Sequence, residues 1–507
     1  MPSPLFAPQQ RSTLNISIQS RECSTLLLEN LPGSTLFPER PVGASIISAL
    51  IEPNGTVICV TAPKMEDAEA QIAYYTDLAA TAAGSDDAAA REALRGRVTV
   101  LSLDDSSPRW LSEKLLDPDR PDARAAQEHI AKATAAARAS GAAVRLSYFE
   151  PSANLERLAR ELGVPGNQAA ARHIPLGTKA AGRRLFEEEG IKVPAGTGEC
   201  FDIDRLVHGM CDLMARGHRR FVLKLSSTAY GAGLGNALLD LTDLPGNAPA
   251  QGAHLASVVR ERLAGSQVLD ASLGWEGFQA AIPQAGVLAE EHLAGDELRS
   301  PSYQGRISDG TVVTVSTHEQ VLGPNGQTYT GSAFPAFDGY RDVLIAHGRR
   351  VGAALMRLGV NQGDFGVDFV AVRREAAWDV YGIELNLRAT GTLHAFNAVT
   401  GLLGTTPADD GILRTADGSP RAYLASDSIT APAYRGLRPS DLIDLVRRSP
   451  LHWDQEQGLG VVLHMLSALP GHGKFGAVCV GADQAHATDL MSRLRTLVDD
   501  WAERHNA

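Results

Sequence analysis

The side chains best suited to chemistry in this chain lie on two neighbouring apolar segments. The first, GDFGVDFVAV, contains Asp368, and the second, VYGIELNLRATGTLHAF, contains Glu384, Asn386 and Arg388. Residues two apart on a strand point to the same face, so Glu384 and Asn386 lie together with Arg388 next along that face. Carboxylate and amide oxygens are the ligands that Mg²⁺ prefers. A magnesium site is therefore predicted, in preference to an amphipathic strand whose polar face is merely solvated, because Glu and Arg flank Asn within an otherwise apolar hairpin.

A lysine beside a glycine-rich loop is the second candidate. Lys224 ends the predicted strand FVLKLSS, and the loop that follows contains Gly231, Gly233 and Gly235. Glycines let backbone N–H groups approach phosphate oxygens, and the lysine supplies a positive charge. A flexible surface hairpin beside an ordinary strand lysine fits the same residues equally well. The order GxGxG is neither a Walker A motif nor GxGxxG.

An acidic strand end, VLAEEHLAGDELRS, is the third candidate. It contains Glu290 and Glu291, followed by Leu293 and Glu297. Backbone from Glu291 to Leu293 is suited to an adenine edge, and the Glu297 carboxylate is suited to ribose hydroxyls. Acidic residues at strand ends are usually only solvated, so this segment indicates a nucleotide site only together with other motifs.

Three more residues are candidates for binding a substrate. Arg299 and Arg306 flank SPSYQG and can bind a carboxylate through two hydrogen bonds, with surface solvation as an equal alternative. His394 follows the metal strand, but a lone histidine is more often a packing or hydrogen-bonding residue. His318 opens an HExxH pattern whose second histidine is absent from the sequence, which argues against a zinc protease.

Alternating strands and helices precede these motifs. An apolar run from Ile46 and a second run, VICV, separated by a turn at 53–55, predict two strands or a strand pair. Further strands are predicted at 97–103 and 142–149, and helices at 65–83, 123–139 and 154–163. The alternation implies an α/β fold with a parallel sheet covered on both faces.

The chain is too long for one core. Single cores stop growing at about 250 to 300 residues, and this chain has 507. Gly and Pro punctuate 163–177, which predicts the first domain boundary, and GLLGTTPADDGI (401–412) is a softer second one. The region between them opens with the predicted helix TKAAGRRLFEEEG and carries all the motifs above.

Composition excludes several classes of protein. The net charge of −12 argues against nucleic-acid binding, which needs clustered Lys and Arg. The five cysteines lie far apart without a CxxC pair, which indicates reduced thiols. The N-terminus lacks a signal architecture and no run approaches about 18 apolar residues. We expect a cytoplasmic protein without nucleic-acid or membrane partners, and the oligomeric state, a homo-oligomer included, stays open.

Taken in order, the motifs resemble the ATP-grasp superfamily. The resemblance covers about residues 172 to 405 and adds Lys179 in the first helix of that region. Three runs extend a similarity to the pheganomycin-type peptide ligases over nearly the whole chain: LGTKAAGRRLFEEEGIKVPAG, IELNLRATGTLHAF and GLGVVLHMLSALPGHGKFGAVCVGADQAHATDL. That family has a motif nearer GGTTHP after the arginine, so Leu393 and Ala395 depart from it around His394.

The resemblance implies a fold in three parts. A pre-ATP-grasp parallel-sheet domain would occupy residues 1–171 and an α+β ATP-grasp domain residues 172–405. A small α+β domain would occupy residues 406–507.

The resemblance also implies a role for each site residue. ATP phosphates would contact Lys179 and Lys224, under a lid at 226–236 that contains Gly231, Gly233 and Gly235. Adenine would lie against the backbone of the strand end and ribose against its last carboxylate: Glu290, Glu291, Leu293 and Glu297. Mg²⁺ would be coordinated by Asp368, Glu384 and Asn386, while Arg388 would stabilise the transferred phosphoryl group or the acyl phosphate. Lys224 and Arg388 are thus the implied catalytic residues.

The activity implied is amide bond formation driven by ATP. A carboxylate, usually of an amino acid, is activated as an acyl phosphate and joined to an amine of an amino acid or peptide, with release of ADP and phosphate. Two alternatives stay open. One is an ATP-grasp enzyme with a non-amine acceptor, and the other is a nucleotide-binding module without catalysis, against which the complete set of site residues argues.

Overall fold

Strands and helices alternate through the first part of the chain and build a four-stranded parallel sheet, sheet A, with strand order β3-β2-β1-β4. A computed structural model describes residues 12–18, 42–52, 54–85, 87–107, 109–228, 235–244, 252–270, 272–323 and 329–506. The strands are β1 (Thr13–Ile18), β2 (Thr56–Thr61), β3 (Val98–Ser102) and β4 (Ala143–Tyr148). The helices are α1 (Val42–Ile51), α2 (Ala68–Ala82), α3 (Ala88–Arg95), α4 (Leu111–Leu115), α5 (Pro121–Ala139) and α6 (Ala153–Leu162). The predicted α/β fold class is confirmed.

One element of that prediction is wrong. The apolar run beginning at Ile46 is helical and belongs to α1, so only the second run forms a strand, β2. Ile46, Ile47 and Leu50 are buried while Ser48 is exposed, which is the pattern of one helix face against a core. A short apolar run does not distinguish a buried helix from a strand by its periodicity, and this one contains too few polar positions to do so.

A second sheet, sheet B, follows the first boundary region. It is antiparallel, with strand order β7-β6-β5-β8. Its strands are β5 (Arg220–Leu225), β6 (Asn236–Asp240), β7 (Gln267–Val268) and β8 (Val287–Glu291). The helices of this region are α7 (Lys179–Glu188), α8 (Ile203–Ala215), α9 (Gly252–Leu263) and α10 (Gly274–Ala285). Helix α7 is capped by Thr178, whose hydroxyl accepts a hydrogen bond from the Ala181 N–H.

The largest sheet, sheet C, contains ten strands and runs β14-β13-β10-β11-β12-β16-β18-β17, with β9 beside β13 and β15 beside β16. The strands are β9 (Glu297–Arg299), β10 (Pro301–Ser308), β11 (Thr311–Leu322), β12 (Tyr329–Phe334), β13 (Gly363–Arg374), β14 (Ala377–Asn386), β15 (Leu413–Arg414), β16 (Pro420–Thr430), β17 (Gly460–His464) and β18 (Lys474–Gly481). The helices are α11 (Asp338–Arg357), α12 (Leu393–Leu403), α13 (Pro439–Arg447), α14 (Leu469–His472) and α15 (Gln484–Asn506). The predicted hairpin of the metal motif is confirmed as β13–β14.

The last part of the chain is joined to the parts before it. Strand β16 pairs with β12, so the C-terminal strands continue sheet C rather than forming a sheet of their own. One apolar core combines residues of α1 and α2, of β12 and α12, and of β16 to β18. The division at 171 and 405 stays a prediction, and the second cut crosses this shared core.

In the described ranges, no helix combines the length and the apolar character needed to cross a membrane. Four of the five cysteines lie in those ranges, and all four are free thiols: Cys59, Cys200, Cys211 and Cys479.

The shared core can be tested through one hydrogen bond. The buried Leu463 N–H of β17 donates to the Tyr74 hydroxyl of α2 over 3.0 Å. Tyr74→Phe leaves that N–H without its acceptor, so we expect the free energy of unfolding to fall by about 1 to 2 kcal/mol. Tyr381→Phe is the control, because its hydroxyl accepts an exposed hydrogen bond from Arg374. Urea unfolding measures both, and equal midpoints for the two variants would contradict the shared core.

Candidate active site

Asp368 and Glu384 are directly opposite each other on the β13–β14 hairpin. Side chains in such a pair share one face of the sheet, with Cβ atoms about 5 Å apart. Burial, together with the nearby negative charge of Glu384, raises the pKa of Asp368 from its ordinary value to about 7. Two carboxylates held this way repel each other, and a cation between them relieves the repulsion.

Hydrogen bonds hold the predicted metal ligands in one row. Asp368 accepts a hydrogen bond from Gln320 Nε2 at 2.7 Å and another from Asn386 Nδ2 at 2.9 Å. Arg388 Nη2 donates to Asn386 Oδ1 over 2.8 Å. Gln320 was not identified from the sequence, because only the order of strands in sheet C brings β11 near β13.

Three cations converge on this row. Lys179 Nζ lies 3.8 Å from Glu384 Oε1. Burial is the main cause that lowers the Lys179 pKa, while Glu384 opposes the shift and the charges of Lys224 and Arg388 add to it. The Lys179 N–H also donates to the backbone oxygen of Ser226, two residues after Lys224. The structure therefore brings Lys179, Lys224 and Arg388 to the acidic hairpin.

Glu290, which was predicted to contact the nucleotide, contacts two basic side chains of the protein instead. Its carboxylate accepts hydrogen bonds from Lys224 Nζ at 2.5 Å and from Arg183 Nη1 at 2.9 Å, and both Lys224 and Glu290 are buried. In this position Glu290 fixes the lysine. Arg183 was missed by the sequence analysis, since an arginine within a helix is usually a solvated residue.

The rest of the strand end is also tied to protein groups. Glu291 Oε1 accepts from the Ala195 N–H at 2.9 Å, and its other oxygen lies 2.9 Å from His218 Nδ1. Leu293 is buried. Glu297 accepts from Arg299 Nε at 2.7 Å and lies 3.4 Å from Arg373 Nη2.

Of the three loop glycines, Gly235 is described, and its carbonyl accepts from the Leu225 N–H at 2.9 Å. Gly231 and Gly233 lie outside the described residues.

Arg388 also contacts the first part of the chain. Its Nε lies 3.7 Å from Glu150 Oε2, and its guanidinium lies over the Phe149 ring, 5.3 Å from the centroid. Glu150 lies two residues after the end of strand β4, at the carboxyl end of a parallel strand, where α/β folds place ligand sites. A cavity of about 40 Å³ is lined by Glu150, Thr228, Glu384, Asn386 and Arg388 among others.

A larger cavity, of about 310 Å³, adjoins this point. Phe149 and Ala389, the chain neighbours of Glu150 and Arg388, line it, together with one face of sheet A, helix α1 and the start of α12. The sheet contributes polar side chains at alternating positions of two neighbouring strands: Asn15, Ser17, Arg145 and Ser147. A covered face of a parallel sheet is ordinarily apolar, so these polar side chains indicate a site for a polar ligand. We call this space the polar cavity.

Of the two arginines predicted to bind substrate, one lines the polar cavity and the other does not. Arg306 lines it, with Nε donating to Asp364 Oδ1 at 2.6 Å. The Asp364 charge raises the Arg306 pKa, so the guanidinium stays charged. Arg299 lies over the Phe337 ring, 4.4 Å from its centroid, and lines neither of the two cavities. His394, in the first turn of α12, lines the polar cavity.

Residues 441–494 match the family model described as the PGM1 C-terminal domain. The chain is 30% identical over 408 residues to the L-propargylglycine–L-glutamate ligase of Streptantibioticus cattleyicolor, which covers 79% of this chain and 78% of the relative.

Two solved structures are similar in fold. A biotin carboxylase–β,γ-ATP complex from Campylobacter jejuni superposes with a TM-score of 0.50 at 14% identity, over 93% of this chain and 88% of that one. A Rhizobium etli pyruvate carboxylase has a TM-score of 0.51 at 14% identity, over 96% of this chain and 37% of that one.

The buried ion pairs of Glu290 can be tested by charge removal. Glu290→Gln leaves Lys224 and Arg183 facing an uncharged group in a buried site, so we expect a loss of about 3 to 5 kcal/mol in the free energy of unfolding. Glu297→Gln is the matched control, since that carboxylate also contacts two arginines but at partly exposed positions, and should cost at most about 1 kcal/mol. Denaturant unfolding measures both. Equal losses would show that Glu290 does not fix a buried lysine.

Proposed function

The chain belongs to the ATP-grasp carboxylate–amine ligases, the family of its ligase relative, and from this premise we propose that it joins two amino acids, or an amino acid and a short peptide. ATP and Mg²⁺ are the cofactors of this chemistry. One observation carries the proposal. Lys179, Lys224 and Arg388 converge with Asp368 and Glu384 directly beside a polar cavity of amino-acid size.

The acidic hairpin fits a magnesium ion. Asp368 and Glu384 offer carboxylate oxygens and Asn386 an amide oxygen, and burial already penalises the negative charge of Asp368. Bound to these residues, the ion would neutralise charge on the phosphates of ATP. We assign the phosphate contacts to Lys179 and Lys224, whose ammonium groups are held by Glu384 and Glu290.

The remaining nucleotide contacts follow the family pattern. Backbone around Glu291 and Leu293 would bind adenine and Glu297 the ribose. Support comes from position, because this segment leads directly from β8 of sheet B to β9 beside β13. Glu290 is better suited to holding Lys224 than to contacting the base, since two cations occupy its carboxylate oxygens.

The reaction has two steps. A carboxylate oxygen attacks the γ-phosphorus of ATP, giving an acyl phosphate and ADP, and the cationic side chains offset the charge that gathers there. We assign stabilisation of the acyl phosphate to Arg388, which lines the smaller cavity beside the hairpin and whose chain neighbour Ala389 lines the polar cavity. The amine then attacks the acyl carbon, and inorganic phosphate leaves. Exclusion of water protects the acyl phosphate from hydrolysis.

The polar cavity supports amino acids as substrates. Arg306 and Arg145 line it, and a guanidinium binds a carboxylate with two hydrogen bonds. The relative is named for L-propargylglycine and L-glutamate, of which the first is a non-proteinogenic amino acid. We therefore propose a role in the biosynthesis of a natural product. The substrate pair can be identified by measuring phosphate release with amino acids and short peptides in all pairings.

Loss of either catalytic charge should stop the reaction. For Glu384→Gln and Lys224→Ala we expect amide formation to fall by about a hundredfold or more, because Glu384 would hold the magnesium ion and Lys224 would contact the phosphates. Mass spectrometry of the amide and the rate of ADP release measure this, with circular dichroism to check the fold. Glu375→Gln, at the exposed turn of the same hairpin, is the control and should keep full activity. Near-normal ADP release in both variants would contradict the assignment.

The two arginines should differ in their effect on substrate binding. Arg306→Gln removes a charged guanidinium from the polar cavity, so we expect the KM of one amino acid substrate to rise about tenfold or more. Arg299→Gln should leave the KM of both amino acid substrates unchanged, because that side chain lies over Phe337 outside the cavity. Steady-state kinetics with each substrate varied in turn measures both. A similar rise in the two variants would place the substrate elsewhere.

A further inference from the structure

Three titratable side chains from three elements meet at the first turn of α12. His394 is in the first turn of α12, Asp427 is in β16 and His464 ends β17. His394 Nε2 lies 3.2 Å and His464 Nε2 lies 3.9 Å from Asp427 Oδ1. The two imidazole rings meet edge to face, with centroids 4.7 Å apart. We call this group the His394 cluster.

A β-bulge directs the carboxylate into the cluster. The pairing of β16 with β18 shifts register between Ser426 and Ile429, which places two residues of β16, Asp427 and Ser428, opposite one of β18. Bulges re-aim side chains and are frequent beside active sites. The position of Asp427 thus follows from a specific irregularity of the sheet.

His394 is the member of the cluster that reaches the polar cavity. Its side chain lines that cavity, and its buried Nε2 lies 3.2 Å from Asp427 Oδ1. With Nε2 directed to the carboxylate, Nδ1 is the ring nitrogen available to a substrate. The same cavity is lined by Ala389 and Thr390, the two residues after Arg388. The polar cavity is therefore lined both by His394 and by the residues that directly follow Arg388.

Amide formation needs a base. An amino group with a pKa near 8 is mostly protonated at neutral pH, and an ammonium has no lone pair with which to attack an acyl phosphate. None of the groups assigned above can take this proton readily, because Lys179, Lys224 and Arg388 are cations and the acidic hairpin is directed toward magnesium.

We propose that His394 is the general base that deprotonates the acceptor amine, with Asp427 orienting its ring. The inference rests on the proposed function. His394 Nδ1 takes one proton from the ammonium, and the neutral amine forms the C–N bond. The C–O bond to phosphate breaks, inorganic phosphate leaves with the second proton lost by nitrogen, and the imidazolium returns its proton to solvent. A carboxylate against one imidazole nitrogen stabilises the imidazolium that forms at the other.

The surroundings of the His394 cluster agree with this role. Burial lowers the pKa of His464 to about 3, so that ring is neutral and adds no competing charge. Lys474 of β18 is buried and interacts with the Asp427 charge. Its ammonium disfavours a divalent cation among the three side chains, because further positive charge would be buried there. Other charged groups reach the polar cavity from α1, β4, β10 and β13: Glu52, Arg145, Arg306 and Asp364.

The contact between His394 and Asp427 is close but not aligned as a hydrogen bond. Catalytic hydrogen bonds are often poorly aligned without substrate and tighten when it binds. A small rotation of the His394 ring suffices, since the two atoms already lie at hydrogen-bond distance.

Hydroxylamine can be used to test deprotonation of the acceptor separately from formation of the acyl phosphate. It is an amine that is largely unprotonated at neutral pH, so it traps the acyl phosphate as a hydroxamate without needing a base. For His394→Gln we expect hydroxamate formation to stay within about threefold of the unaltered chain. Amide formation with the amino acid acceptor should fall about a hundredfold at pH 7. This loss should shrink as the pH is raised toward the pKa of the acceptor's amino group, where the acceptor deprotonates by itself.

Two further variants complete the test. Asp427→Asn should show the same pH trend with a smaller loss, because the ring is misoriented but still basic. His472→Gln removes an exposed histidine of α14 and should leave both reactions and their pH profiles unchanged.

Several results would overturn the proposal. A loss of amide formation in His394→Gln that is equal at every pH, or that hydroxamate formation shares, would make His394 a structural residue. A raised KM for the acceptor with unchanged kcat would make it a binding residue. Tightly held metal in the purified chain that is lost in His464→Gln would make the cluster a metal site. Absence of hydroxamate from the unaltered chain would instead refute the proposed function, and the base with it.

Discussion

The site depends on a charge conflict between Asp368 and Glu384, which the β13–β14 hairpin holds opposite each other on one face. Antiparallel pairing leaves the two carboxylates no freedom to separate, and partial burial removes much of the water that would screen them. Cations must therefore come to them. Lys179 reaches Glu384 directly, and Arg388 reaches Asp368 through the amide of Asn386. A divalent ion would offset the remaining negative charge of the carboxylates, and the phosphates of a nucleotide would offset the positive charge of the cations.

The two lysines are placed by separate elements that are tied together. Lys179 begins α7 and Lys224 lies on β5 of sheet B, yet backbone of α7 donates to Ser226, just beyond β5. Lys224 is in turn fixed by the buried carboxylate of Glu290 on the neighbouring strand β8. A lysine held at both its backbone and its ammonium loses little additional entropy when it binds a phosphate. The proposed nucleotide side of the site is thus largely organised before a ligand arrives.

The proposed substrate site draws on all parts of the chain. Sheet A supplies the polar face of the cavity, sheet C supplies Arg306, and α12 carries His394 to its edge. The C-terminal strands then place Asp427 and His464 behind that histidine. Because these strands continue sheet C and share its core, the C-terminal part is a structural component of the site.

The sequence alone determined what depends on neighbours along the chain. Because side chains alternate between the two faces of a strand, the two-residue spacing of Glu384 and Asn386 put them on one face. Alternating strands and helices predicted the α/β fold, and the order of the motifs indicated the family. It failed where local pattern is ambiguous, as at Ile46, whose apolar run fits a buried helix as well as a strand.

Only the tertiary structure decided which distant residues meet. Arg299 and Arg306 look equivalent in sequence, but strand pairing and burial put one over Phe337 and the other in the polar cavity. Gln320, Glu290 and Asp427 gained their partners from sheet order and from a bulge, which act across tens of residues. Such contacts leave no periodic trace, because the energy that selects them comes from packing and charge in the folded chain rather than from local preference.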